Sequence, residues 1–254
     1  MCQSFLEKSN TKSNSTLLRG SDTLYTLLLR LSAPLQSWGS ESMFDNRETD
    51  SMPTKSGVIG MLAAALGMKR NENLEDLRKL GFGVRIDLPG IKLNDFQITE
   101  MGEKLNSNLS NRSYLSDAIF LAGLESADVT YLEKIENALK NPKYSVFLGR
   151  RSCPPTQPLV LGIRNEELYQ SLLDEKWLVP EWRQKTLFRF SNNLLLRIVT
   201  DGSSEGAVKK DVPLSFSPFR REYGYRYVTE MPAKIVTREP CSVSTEHDPM
   251  SELR

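Results

Sequence analysis

The 254-residue chain has one histidine, three cysteines, and no apolar run of membrane-spanning length. Each scarcity excludes a class of chemistry. The histidine, His247, stands in a polar C-terminal stretch, so histidine-based acid–base catalysis has no residue in the core to rest on. Cys2, Cys153 and Cys241 are far apart without paired spacing, which excludes a zinc ribbon and a disulfide framework and fits a reducing cytoplasm. No segment approaches the roughly 20 apolar residues of a membrane span, so no membrane contact is expected. Met1 to Asp22 is polar with no apolar block, unlike a secretory signal, and reads as a disordered extension. Formal net charge is +1, so no global field draws nucleic acid and any anion site is local.

What is present supports a real core, with 39% hydrophobic residues. Thr23 to Ser32 predicts a central strand. A long turn, Ala33 to Met52, precedes a helix whose Val58, Ile59, Leu62, Ala65 and Leu66 share one face. Leu74 to Leu80 predicts a short helix and Phe82 to Asp87 a strand, stopped at Leu88-Pro89-Gly90. Asp95 to Thr99 predicts a further strand, Glu100 to Arg112 a flexible loop, and Tyr114 to Leu124 another strand. Asp128 caps a helix over Val129–Lys140, and Tyr144 to Leu148 predicts a strand. This order is a split β-α-β, or ferredoxin-like, arrangement with an insertion, which leaves one sheet face covered by two helices and the other free. Beyond Arg151, strands are expected at Leu187–Phe190, Leu194–Thr200 and Tyr223–Val228, and Arg238 to Arg254 reads as loose.

Three segments carry candidate chemistry. In Pro53-Thr54-Lys55-Ser56-Gly57, Thr54 or Ser56 can cap the helix and Gly67 can end it. A helix N-terminus with Lys55, hydroxyls and Gly57, which permits close approach, offers a seat for phosphate; the same residues also describe an ordinary capped helix. The motif is not a nucleotide-binding P-loop, because its glycine follows the lysine and serine. The second segment is Gly149-Arg150-Arg151-Ser152, inside a stretch from Asn141 to Arg164 that has no Asp or Glu. Guanidinium forks on a turn suit phosphate, although a solvated basic turn has the same composition. Cys153 beside it reads as a packed residue, with no histidine nearby in sequence. The third is Arg220 to Tyr227, where Tyr223, Tyr225 and Tyr227 alternate on one strand face opposite Arg226. Such aromatics can stack single-stranded bases or form a half-buried edge strand.

Taken together, Leu29-Arg30-Leu31, Pro34-Leu35-Gln36-Ser37-Trp38-Gly39, Arg47, Pro53 to Gly57, Asp95-Phe96, Tyr114 to Ala118 and Leu148 to Pro154 resemble the CasD family. That family belongs to the RAMP superfamily and supplies a subunit of the type I-E CRISPR surveillance complex, Cascade. The resemblance covers Leu24 to Leu161 well and Val212 to Val228 loosely. It implies an α+β chain: a ferredoxin-like (RRM-like) palm with a thumb insertion and an additional C-terminal β-rich part. The palm would span 23–91 and 117–237, the thumb 92–116, with 1–22 an extension and 238–254 a tail. It implies a non-catalytic cytoplasmic subunit that caps the 5′ handle of CRISPR RNA and meets the backbone and large subunits. Target DNA would be met only through the complex, and no metal or cofactor is expected. The matching site positions are Gln36, Trp38, Arg47, Lys55, Ser56, Gly57, Arg150, Arg151 and Ser152. A related branch of the superfamily cleaves precursor CRISPR RNA, so metal-independent endoribonuclease activity is the alternative. The N-terminal extension is longer than the family pattern and its role stays open.

Overall fold

A computed structural model describes residues 23–39, 46–101, 106–202 and 204–238. The expectations for Met1 to Asp22, for His247 and for the tail beyond Arg238 lie outside these residues. No helix among the described residues is long and apolar enough to cross a membrane.

Strand β1 (Tyr25–Ser32) is buried on both sides. Leu27, Leu29 and Leu31 enter one core and Leu28 the other, as a period of two requires. The following loop holds two short strands, β2 (Leu35–Gln36) and β3 (Asn46–Arg47). Helix α1 (Lys55–Leu66) starts at Thr54, whose hydroxyl accepts from the Gly57 N–H at 3.2 Å. It ends at Gly67, φ 77°, where Met68 N–H reaches the Ala63 carbonyl at 2.8 Å in a Schellman closure.

Next come α2 (Glu75–Lys79), β4 (Gly81–Leu88), β5 (Ile91–Met101), β6 (Asn106–Ser116), β7 (Ile119–Ser126) and α3 (Val129–Lys140). Strands β5 and β6 pair without interruption from Ile91↔Ser116 to Met101↔Asn106. The loop expected over Glu100–Arg112 is therefore corrected: all of it that is described is hairpin strand. Leu109 is exposed and Ser110 to Arg112 are half-buried, and the segment's polar composition carries no apolar alternation to mark a strand.

The expected strand Tyr144–Leu148 is absent. Its N–H groups serve other partners: Lys143 and Tyr144 donate to the Ala65 and Ala64 carbonyls at the end of α1, and Leu148 donates to Cys153. The C-terminal part holds β8 (Val160–Arg164), α4 (Leu168–Asp174), α5 (Glu181–Leu187), β9 (Asn193–Asp201), β10 (Ala207–Phe216) and β11 (Arg221–Thr237). Leu187–Phe190, expected as a strand, is instead the end of α5 and its turn, with Phe188 N–H on the Gln184 carbonyl at 2.9 Å.

The main sheet runs β10-β11-β9-β4-β7-β1-β8, antiparallel at every pairing. β1 and β4 both run against the strand between them, β7. α1 and α3 pack on one face through Leu62, Leu132 and Ile135. The opposite face, expected to be free, is covered by α4. Its Leu168 and Leu172 join Leu28, Leu121 and Ile198, and they press onto the cross-strand pair Gly83 and Gly123, where a Cβ would collide with them. The polarity of the segment after Arg164 hid this short helix.

Candidate nucleic-acid interface

The start of α1 is already occupied from within. The main-chain N–H of Lys55 donates to the Asp211 carboxylate at 2.9 Å. The Lys55 ammonium, 6% exposed, donates to the Leu80 carbonyl at 2.9 Å and to Asp201 at 2.8 Å. Arg226 closes the cluster with a 2.6 Å bond to Asp201 and bonds of 2.6 and 2.9 Å to both oxygens of Asp211. Burial pushes the Asp211 carboxyl up, but the Arg226 hydrogen bonds and charge and the Lys55 N–H outweigh it, so its pKa lies below the ordinary value. Burial likewise opposes the Arg226 charge, yet Asp211 and Asp201 raise its pKa. The network fastens β9, β10 and β11 to α1. Lys55 is thus corrected from a phosphate ligand to a structural cation.

Gln36 and Trp38 are also corrected. Both are fully buried. The Gln36 amide donates to the Ala118 carbonyl at 2.7 Å and to the Leu31 carbonyl at 3.3 Å, and its oxygen accepts from the Trp38 indole at 3.1 Å. Together they pin the loop that carries Arg47. The side-chain position of Gly57 points at this tryptophan: a Cβ there would stand 2.9 Å from Trp38 Cε3 and 3.0 Å from Thr54 Oγ1.

The Gly149–Ser152 turn remains at the surface. Gly149 has φ 87°, and a Cβ there would overlap the Ser37 carbonyl, so the turn requires glycine. Arg150 lies over the Tyr114 ring at 4.5 Å and donates to the Arg47 carbonyl at 2.7 Å. Arg151 and Ser152 are exposed. Cys153 is buried, and burial raises its thiol pKa against the opposing Ser152 and Arg150. It is a packed residue. Two guanidinium nitrogens nearby, Arg150 Nη1 and Arg112 Nε, are shielded from solvent with no hydrogen-bond partner.

A cleft of about 870 Å³ unites the three segments. Ser56 and Gly57 line it from α1, Arg151 from the basic turn, and Arg221 and Tyr223 from β11. Lys69 and Arg70, just past the end of α1, complete four cations, and no carboxylate lines the cleft. None of the four forms an ion pair among the described residues. Tyr144, Phe147, Phe216 and Tyr223 supply aromatic walls. This suits a polyanion with planar rings: cations for phosphates, aromatic faces for bases. No group of three or more His, Cys, Asp or Glu residues suited to a metal occurs among the described residues.

Lys69, Arg70, Tyr144, Phe147 and Phe216 were not singled out in the sequence. Cations just after a helix end carry a readable signal, since they favour the negative C-terminal pole; the aromatics carry none by spacing. Ser56 and Arg151 reach the large cleft, whereas Arg47 lines a separate small polar pocket.

The family described as CRISPR-associated protein (Cas_Cas5) matches residues 26–229. The chain is similar to the CRISPR system Cascade subunit CasD of Escherichia coli (strain K12), 34% identical over 158 residues, covering 54% of this chain and 70% of that one. A structure described as a CRISPR RNA-guided surveillance complex aligns with a TM-score of 0.70 at 31% identity, over 83% of this chain and 91% of the other. A Cas protein crystal structure aligns with a TM-score of 0.63 at 36% identity, over 82% and 95%.

Proposed function

The chain belongs to the CRISPR-associated Cas5 family, and on that premise we propose that it is the RNA-binding subunit of a type I-E Cascade in antiviral defence. It holds and caps the 5′ handle of the CRISPR RNA in the cytoplasm and touches target DNA only through the complex. The observation that carries this is the cleft: four cations without ion-pair partners among the described residues, aromatic walls and no carboxylate in its lining. The order β8-β1-β7-β4 with α1 and α3 on one face supports reading the central sheet as a ferredoxin-like palm. The β5–β6 hairpin is then the thumb. Its exposed Phe96, Ile98 and Leu109 suit docking on a protein neighbour, for which the backbone subunit is our assignment, with the large subunit also in contact.

We read the subunit as non-catalytic. RNA cleavage without metal wants a general base beside a cation, and neither histidine nor carboxylate lines the cleft. The test is to purify the chain with and without precursor CRISPR RNA. Retention of a uniform RNA end, with no cleavage by the chain alone, is the expected result. Specific cutting that a single cleft substitution abolishes establishes the endoribonuclease instead, and failure to retain RNA removes the binding reading.

A further inference from the structure

We infer that the acidic segment Glu239 to Arg254 of this chain docks on the exposed face of α5 and covers it. This face stands apart from the RNA cleft, at the opposite end of the sheet. β4 starts beside Lys55 and Asp201, at the cleft end, through the Leu80 carbonyl and the Phe82 N–H. It finishes at Leu88, which packs with Val179 and Leu187 at the two ends of α5.

No residue of α5 is fully buried, yet the helix is held in place. The fully buried Arg85 donates to the Leu172, Glu175 and Lys176 carbonyls, each at 2.6 Å, and to the Asp87 carboxylate. Asp87 accepts from the Leu178 N–H at 2.8 Å, and its carbonyl accepts from the Trp177 indole at 3.1 Å. This buried pair fixes the segment that leads into α5. The outer face of α5 therefore has a defined place and no role in the core.

That face is basic and aromatic. Trp182, Lys185, Thr186 and Arg189 recur at i, i+3, i+4 and i+7, and all four are exposed. Trp182 is 67% exposed, and Phe190, which follows Arg189, is 87% exposed. Lys185 and Arg189 form no ion pair among the described residues, whereas Arg183 pairs with Asp117. Glu181 is the one acid of the helix. Exposed aromatics beside unmatched cations fit an acidic chain with a few apolar side chains.

The continuation of β11 is such a chain, and it starts at the right place. The Arg238 N–H donates to the Asn192 carbonyl at 2.9 Å, so the chain leaves β11 three residues from Arg189 in the neighbouring turn. The segment that follows lies outside the described residues and carries Glu239, Glu246, Asp248 and Glu252 against Arg254, with no lysine. Val243, Met250 and Leu253 are its larger apolar residues, and Pro240 supports a turn at its start. Its reach is sufficient. At about 1.5 Å per residue α5 is roughly 10 Å long, while the path from Arg238 to Glu246 spans up to about 28 Å.

The test follows acetylation of lysines in the full chain by mass spectrometry. Lys134 is the internal reference, exposed on α3 and without an ion pair among the described residues. Glu246→Gln, Asp248→Asn and Glu252→Gln together should speed Lys185 labelling relative to Lys134 by about threefold, as expected on loss of a surface ion pair. Salt at about 1 M should do the same to the parent chain and leave the variant unchanged. Carbodiimide coupling of mixed isotopically light and heavy parent protein should join Lys185 to Glu246 or Asp248 within one chain. Labelling of Lys185 that ignores both the substitutions and salt overturns the inference. Cross-links confined to light–heavy pairs also overturn it and assign the face to a second copy. Protection of Lys185 that appears only on adding single-stranded DNA overturns it in favour of nucleic acid.

Discussion

The main-chain N–H of Lys55 and the carboxylate of Asp211 meet at 2.9 Å, although 156 positions separate them in sequence. The anion that α1 was expected to draw from RNA is therefore a side chain of β10. The helix pole, Arg226 and the Lys55 N–H hold that carboxylate charged.

Asp211→Asn should cost about 3 kcal/mol, because it leaves Arg226 buried with only Asp201 as its counter-charge. The pH dependence has a definite sign. Asp211 has a folded-state pKa below its unfolded value, near 3.9, so its stabilisation is complete above that value and is lost as pH falls through the folded pKa. Thermal melts should show stability dropping below about pH 4 in the parent chain and a shallower drop in Asp211→Asn. Parallel curves would separate Asp211 from the acid transition.

Gly57→Val should destabilise the fold, the reverse of what an RNA-facing glycine would give. Its Cβ has Trp38 Cε3 at 2.9 Å, and Trp38 cannot retreat while its indole bonds Gln36 and its N–H bonds Thr49. Overpacking of this kind costs about 1–3 kcal/mol. A melt unchanged from the parent would show that the tryptophan yields.

Strong periodicity made some elements legible and its absence hid others. β1, α1 and α3 announced themselves through apolar spacing and caps at Thr54, Gly67 and Asp128, all of which the structure uses. The hairpin and α4 were not legible: one has few core-facing residues, and the other is too short to show a helical period. At the site, Arg151 could be read because a cation in an acid-free turn has little structural work available. Lys55, Gln36 and Trp38 could not be separated from ligands by sequence. Their partners, Asp201, Ala118 and Gly57, are assembled by the tertiary fold.

Removing residues 99–108 and joining Ile98 to Leu109 through a tight turn should leave the fold intact. The base of the hairpin stays, with Tyr114 and Leu115 buried and β6 paired to both β2 and β3. Melting should be unchanged while assembly with the backbone subunit weakens. Removal of the whole of 92–116 should abolish soluble expression, because it takes core residues with it. If the short deletion also unfolds the chain, the tip carries stability.

Arg151→Ala combined with Arg221→Ala tests the cleft directly. Both side chains are exposed and form no ion pair among the described residues, so the melt should stay within that of the parent chain. Each lost charged contact to phosphate should cost roughly 1.5–3 kcal/mol of RNA binding. The more diagnostic quantity is the salt dependence. Every phosphate neutralised on single-stranded RNA contributes a slope of about −0.7 to the plot of log affinity against log salt, so the double variant should flatten it by about 1.4. A uniform affinity loss with an unchanged slope would mean that the arginines act through shape and not through phosphate. Unchanged affinity and slope together would place the RNA path outside the cleft.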